Sequence, residues 1–270
     1  MRGSGKANVY AMLAHPVAHA KSPGMFNDLF EAEGLDSLMV PVTCKPDDFD
    51  TFWAGLTAMQ NLKGMIISVP FKIPSLAKCA TAHPRAKRVG AANCILRMPD
   101  GSWHADNFDG VGFIEGLKKA NIPIAGERVL LVGAGGAGAS LAYCLAEEGA
   151  ASVTINDIDI SRAKQLAGLV KTAFPASDTA PGAPDPRGKT LIVNATPIGL
   201  QASDPYPLDV EGLTADMTVV DIIMDPTETR LLQYAKTLGC RVQYGQPMMD
   251  CQMQAMAAFL KVADAGESNG

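Results

Sequence analysis

Apolar positions come in two rhythms in the first part of the chain. Val9 to Leu13, Leu38 to Thr43 and Lys63 to Val69 are strand-length apolar runs, whereas Pro23 to Glu33 and Pro46 to Met59 carry helical patterning. Pro46 stands at a helix start, where its missing N–H costs nothing. Ala92 to Arg97 and Ser102 to Asp106 flank a Pro-Asp-Gly turn and predict a hairpin. The alternation predicts an α/β layer structure up to about Asn107.

A second α/β block follows from about Asp109 to Gly239. Its strands are predicted at Val129 to Val132, Ser152 to Ile155, Thr190 to Val193 and Met217 to Ile223, with helices at Ala139 to Glu148 and Thr229 to Leu238. Pro175 to Lys189 reads as a connection and Arg241 to Tyr244 as a short closing strand. Met249 to Ala263 predicts a last helix, which from its pattern alone either covers a face of the second block or returns to the first.

The strand Val129 to Val132 runs directly into Gly133-Ala134-Gly135-Gly136-Ala137-Gly138. Three glycines at this spacing have three physical jobs: a sharp turn at Gly133, close approach of backbone to pyrophosphate at Gly135, and tight helix packing at Gly138. The helix start then offers unpaired N–H groups to phosphates. The next strand ends at Asn156-Asp157, about the spacing at which an acidic residue meets a ribose. The pattern predicts a doubly wound, Rossmann-type dinucleotide-binding domain. A first block without such a turn predicts a substrate domain, with the cleft between the two as the reaction site and hydride transfer as the reaction class.

Composition narrows the classes. With 270 residues the chain has room for full cores, and its net charge of −5 with no basic run recommends neither nucleic acid nor an anionic membrane as partner. No apolar run approaches the roughly 18 residues of a membrane span, and no signal-peptide pattern opens the chain, so a cytoplasmic protein is expected, as a monomer or homodimer. Met1 to Gly5 reads as a flexible leader. Six scattered cysteines without Cys-x-x-Cys pairing read as buried free thiols, and no metal is expected.

Hydride transfer at a hydroxyl carbon needs a group to take or give the hydroxyl proton. Lys72, after Ser68-Val69-Pro70-Phe71, and Asp109, in Asp106-Asn107-Phe108-Asp109-Gly110, are the two candidates. By residue type alone Lys72 also reads as a surface lysine at a helix start, and Asp109 as a helix N-cap.

Several motifs together resemble the shikimate dehydrogenase family, which includes quinate/shikimate dehydrogenases. They are His19-Ala20-Lys21-Ser22-Pro23 with Asn27, Gly64 to Lys72, Gly90 to Cys94, Asp106 to Gly112, Asn194-Ala195-Thr196-Pro197-Ile198-Gly199, and Gln252. The resemblance implies a catalytic pair of Lys72 and Asp109, substrate contacts from Ser22, Ser68, Asn93 and Gln252, and Thr196 on the cofactor side. It implies a mixed-sheet substrate domain of residues 6–107 plus 246–270 and a cofactor domain of residues 108–245. His15 and His19 are expected to be structural or to line the cleft. The implied reaction is the reversible oxidation of a ring alcohol of shikimate or quinate.

Four positions depart from the family pattern. Ala20 replaces a serine, Ile66 an asparagine, Phe108 a threonine and Met224 a tyrosine, each removing a polar side chain and each costing on the order of 1–3 kcal/mol of substrate anchoring. A less polar hydroxy-acid analogue is therefore a second expectation; a dinucleotide-binding regulator without turnover is a third, opposed by the intact Lys72 and Asp109. The family's NADP-using members carry a basic pattern after the second strand of this domain. Here the run is Asn156-Asp157-Ile158-Asp159-Ile160-Ser161-Arg162, in which the Asp157 carboxylate suits a ribose and repels a phosphate. NAD is expected, with Arg162 keeping NADP as the alternative.

Overall fold

A computed structural model describes residues 3–18 and 20–262, so His19 and Ala263 lie outside the described residues. The chain divides into two compact units, Met1–Phe108 with Met253–Gly270, and Asp109–Gln252.

The first unit holds strands β1 (Asn8–Leu13), β2 (Ser37–Val42), β3 (Leu62–Ile67), β4 (Thr81–Ala82), β5 (Cys94–Arg97) and β6 (Trp103–Asp106), in the sheet order β2-β1-β3-β5-β6-β4. β1 runs parallel to β2 and β3, whereas β5 is antiparallel to β3 and β6, giving a mixed sheet. Helices α1 (Ser22–Ala32), α2 (Phe49–Thr57), α3 (Lys72–Ala77) and α4 (Pro84–Val89) complete the unit. Phe49, Trp53 and Leu56 recur at helical spacing and are all buried. Phe49 stacks on Phe71 with ring centres 5.3 Å apart, and Trp53 meets Trp103 edge-on.

The helix expected from Pro46 is divided: Pro46–Asp48 forms a 3-10 turn before α2, a common tightening at a helix start. The pattern did not predict α3 and α4, because six residues are too few to establish a helical period. The legible marks of α4 are Pro84 at its start and Gly90, at φ 72°, just past its end. β3 ends at Ile67 rather than Val69, which leaves Ser68 to Phe71 as the loop that delivers Lys72.

The second unit holds β7 (Arg128–Val132), β8 (Ser152–Asn156), β9 (Asp178–Pro181), β10 (Leu191–Asn194), β11 (Thr218–Asp221) and β12 (Arg241–Gln243), all parallel, in the order β12-β11-β10-β7-β8-β9. This is the doubly wound arrangement, and its order reverses between β7 and β10, the place where such sheets bind ligands. α5 (Asp109–Lys119), α6 (Gly136–Glu147), α7 (Ile160–Ala173) and α8 (Arg230–Thr237) connect the strands. β9 lies inside the expected connection Pro175 to Lys189. It is an edge strand with only Thr179 buried, and an edge tolerates its proline.

The division between the units falls inside the last helix, α9 (Gln246–Phe259), after Gln252 rather than at Gln246. The reason is close packing on α5. A Cβ on Gly112 would stand 2.6 Å from Met248 O and Gln252 Cβ, and one on Gly116 would stand 3.1 Å from Pro247. Gln243 Nε2 also donates to Gly116 O at 3.2 Å. Among the described residues no helix is long and apolar enough to cross a membrane, and no three His, Cys, Asp or Glu side chains gather as metal ligands.

Candidate functional site

In the first unit, three of the motif segments are tied together through backbone. Phe71, 1% exposed, anchors the loop after β3, and Lys72 follows it as the first residue of α3, half-buried. The Ala92 N–H donates to Lys72 O at 2.9 Å, the Ile67 N–H to Asn93 O at 2.9 Å and the Asn93 N–H to Asp106 O at 3.0 Å. Asn93 is 1% exposed, and its Oδ1 accepts the Phe108 N–H at 2.8 Å. The Asn107 amide donates to Ala91 O at 3.1 Å. The segments carrying Lys72, Asn93 and Asp106 to Phe108 therefore hold one another in register. Ser68 is half-buried on the same loop as Lys72.

Ser22 lies apart in sequence, as the first residue of α1, also half-buried. Asn27 on that helix bonds both backbone groups of Met39, accepting its N–H at 2.8 Å and donating to its carbonyl at 3.0 Å. That side chain fastens α1 to the edge strand β2.

Sequence reasoning missed Arg85. Its guanidinium grips the buried Asp106 with Nε–Oδ1 at 2.7 Å and Nη2–Oδ2 at 2.5 Å, and lies 4.6 Å from the centre of the Phe108 ring. Such a bidentate pair fixes the strand end leading to Phe108 in both position and direction. Phe108, 4% exposed, packs edge-on against Phe259 at 5.4 Å, and Ile66, also 4% exposed, lies within β3. Both departures from the family pattern are thus apolar groups closed into packing, with no donor or acceptor to offer. Ala20 is half-buried. His15 Nδ1 lies 3.2 Å from Thr43 Oγ1, and His15 is exposed.

In the second unit Asp109 opens α5 as its first helical residue, one position beyond an N-cap, and is 4% exposed. Gln252, 8% exposed, donates from Nε2 to Asp109 Oδ1 at 2.6 Å. Two residues singled out separately, 143 positions apart, thus meet in one hydrogen bond. Gly112 permits it, because a side chain there would collide with Gln252. Gly110 does similar work, its N–H donating to Ser140 Oγ at 2.8 Å.

The glycine turn has the shape its spacing predicts. Gly133 adopts φ 109°, and a Cβ on it would lie 2.8 Å from Ala195 O. A Cβ on Gly138 would lie 1.9 Å from Gly133 O, so the helix approaches the turn as only glycine allows. Gly135 and Gly136 are exposed, and a Cβ on either would meet nothing within 4 Å; Ala134 and Ala137 are half-buried. Exposed backbone at the start of the 12-residue α6 is a cradle suited to pyrophosphate.

Asp157 sits beside this turn: its Oδ2 accepts the Ala134 N–H at 2.7 Å and its Oδ1 the Asp159 N–H at 2.9 Å. Asn156 supports the same place, its carbonyl accepting the Gly133 N–H at 2.8 Å and its amide donating to Gly182 O at 2.9 Å. Asp159 caps α7 by accepting the Ser161 N–H at 2.9 Å and pairs with Arg162 at 3.4 Å. On the other side of the turn, Thr196 Oγ1 donates to Asn194 Oδ1 at 2.7 Å. A glycine turn after a strand, an exposed helix start and an acidic residue after the next strand are the features of a dinucleotide-binding turn.

The match to known proteins covers both units. Residues 12–95 match the model of the shikimate dehydrogenase substrate binding domain. A shikimate dehydrogenase (NADP(+)) of Rhodospirillum rubrum is 34% identical over 91% of this chain and 89% of its own. Among solved structures, ligand-free 5-ketofructose reductase of a Gluconobacter strain superposes with a TM-score of 0.84 at 29% identity, covering 95% of this chain and 94% of that one. Quinate dehydrogenase from Corynebacterium glutamicum in complex with NAD gives 0.85 at 27% identity, covering 94% and 93%. Substrate-domain motifs, doubly wound cofactor domain and likeness over nine-tenths of the chain agree: the protein belongs to the shikimate dehydrogenase family.

Proposed function

We propose that this protein is an NAD(P)-dependent dehydrogenase that reversibly oxidises a ring secondary alcohol of shikimate, or of quinate, to the 3-dehydro ketone. The observation that carries the reading is the Asp109–Gln252 hydrogen bond, which joins a proposed proton-handling carboxylate to a proposed substrate-binding amide. When bound, the nicotinamide supplies the hydride acceptor. Lys72 and Asp109 manage the other half of the balance, taking the hydroxyl proton in oxidation and returning it in reduction. Gln252 fixes the orientation of the Asp109 carboxylate, and Ser22, Ser68 and Asn93 contribute the remaining polar contacts to the substrate.

Gly133 to Gly138 would hold the pyrophosphate, with Asn156 and Asp157 on the adenosine side and Thr196 on the other. NAD is the proposed cofactor: the Asp157 carboxylate is a good acceptor for ribose hydroxyls and a poor neighbour for a phosphate. The pairing of Arg162 with Asp159 supports the same choice. NADP, the cofactor in the name of the Rhodospirillum relative, is the alternative.

A second reading keeps the mechanism and changes the substrate. The substrate is then a less polar hydroxy-acid analogue, which apolar Ile66 and Phe108 favour at two positions that are polar in the family pattern.

Initial rates of cofactor reduction by the purified protein, with NAD or NADP against shikimate, quinate and hydroxy acids carrying fewer ring hydroxyls, test these assignments. Turnover of shikimate or quinate with NAD is expected. Turnover of the less hydroxylated acids alone selects the second reading, NADP-only turnover overturns the cofactor choice, and tight dinucleotide binding without turnover of any alcohol overturns the enzyme reading.

A further inference from the structure

One buried carboxylate in the second unit has no part in the proton chemistry. Asp221 ends β11 and is fully buried. Its Oδ2 accepts from Asn194 Nδ2 at 3.1 Å and from Thr229 Oγ1 at 2.8 Å, and its Oδ1 accepts the Ile223 N–H at 3.1 Å. Burial raises its pKa, and the three donors oppose that rise. A buried carboxylate is expensive to maintain unless it holds something in place.

What it holds can be followed bond by bond. Asn194, 0% exposed, donates to Ile198 O at 3.1 Å and accepts from both the N–H and the hydroxyl of Thr196. Thr196 Oγ1 in turn accepts the Ile198 N–H at 3.1 Å, closing the turn on itself. The Ala195 N–H donates to Val132 O at 2.7 Å, and Ala195 O is the atom that a Cβ on Gly133 would strike. On its other oxygen Asp221 fixes Ile223, whose carbonyl lies so near Gly245 that a Cβ there would stand at 2.6 Å. One side chain therefore ties the Thr196 turn to the segment leading to Met224.

The geometry points to Asp221 as a positioning residue for the nicotinamide half of the cofactor site, acting through Asn194 on the Thr196 turn. The assignment rests on the proposed dinucleotide reading. The adenosine half is built separately, on Asp157 and Asn156 beyond the opposite edge of the glycine turn. Loss of Asp221 should therefore weaken a whole dinucleotide and spare its adenosine end.

Calorimetric titration of the full chain with NADH, NADPH and ADP reads that split directly, with thermal melting of each variant alongside. Asp221→Asn sets an amide against the Asn194 amide, and NADH affinity is expected to fall about tenfold while ADP affinity stays within twofold. Should that variant not fold, Asn194→Ala cuts the same link from the other side and is expected to give the same split. Equal losses for NADH and ADP would mean general loosening and overturn the assignment. Unchanged NADH binding in a folded Asp221→Asn overturns it too, leaving the dinucleotide reading intact. A parent protein that binds none of the three nucleotides overturns both.

Discussion

The glycine turn after β7 and the Lys72 loop after β3 are both strand-end segments, yet they are built on different principles. The turn is specified by backbone: φ 109° at Gly133, and the collision with Gly133 O that any Cβ on Gly138 would make, leave almost no freedom in residue type. The Lys72 loop is held by a backbone frame, Ala92 to Lys72 and Asn93 to Asp106, on which Ser68 and Lys72 stand half-buried. A frame of that kind survives exchange of what it presents, and the departures from the family pattern at Ile66 and Phe108 lie in this unit. On the proposed reading, the cofactor turn is thus fixed by sterics, while the substrate side is open to replacement one side chain at a time.

The comparison breaks most sharply at the proposed proton-handling residues, which on that proposal work whatever the substrate. Asp109→Asn keeps the approximate shape and the Gln252 neighbour but removes the charge, and kcat is expected to fall by about 10²–10⁴-fold. Steady-state kinetics with the best alcohol check it, and a loss under tenfold would place the proton elsewhere.

At Asp157 the contest is between ribose and phosphate. Asp157→Ser is expected to lower kcat/KM for NAD by about 10- to 100-fold, the range of a lost charge-assisted hydrogen bond, and to raise the relative use of NADP. An unchanged NAD/NADP ratio would show that Asp157 serves only the Ala134 N–H.

A smaller effect separates rigid from yielding contacts. Gly138→Ala would drive a methyl into Gly133 O and is expected to cost about 1–3 kcal/mol of stability by urea unfolding. Gly64→Ala in the first unit meets chiefly the flexible end of Leu260, with Ile95 O at 3.0 Å, and should cost less. The reverse order would contradict the contrast between the two regions.

Legibility in the sequence follows the same division. The doubly wound unit could be read because glycine spacing and parallel apolar strands are local patterns; its misses were the helix α7, an edge strand with a single buried residue, Thr179, and the helix boundary of α9, which depends on Gly112 and Gly116 meeting Met248 and Pro247 over a hundred residues away. Lys72, Asp109 and the glycine turn are legible from residue type and spacing, whereas the substrate contacts are implied only by motif resemblance. Their supports are legible from neither, because Arg85 on Asp106, Asn93 on Phe108 and Asp221 on Asn194 are long-range bonds between residues that look ordinary alone. Helices α3 and α4 escaped because each is shorter than two turns.

Lys72 is where the central claim is most exposed. Single-turnover hydride transfer by Lys72→Ala, on samples whose dinucleotide affinity is measured in parallel, is predicted to slow by at least about 100-fold with cofactor affinity unchanged. Transfer at the rate of the parent protein would contradict the account.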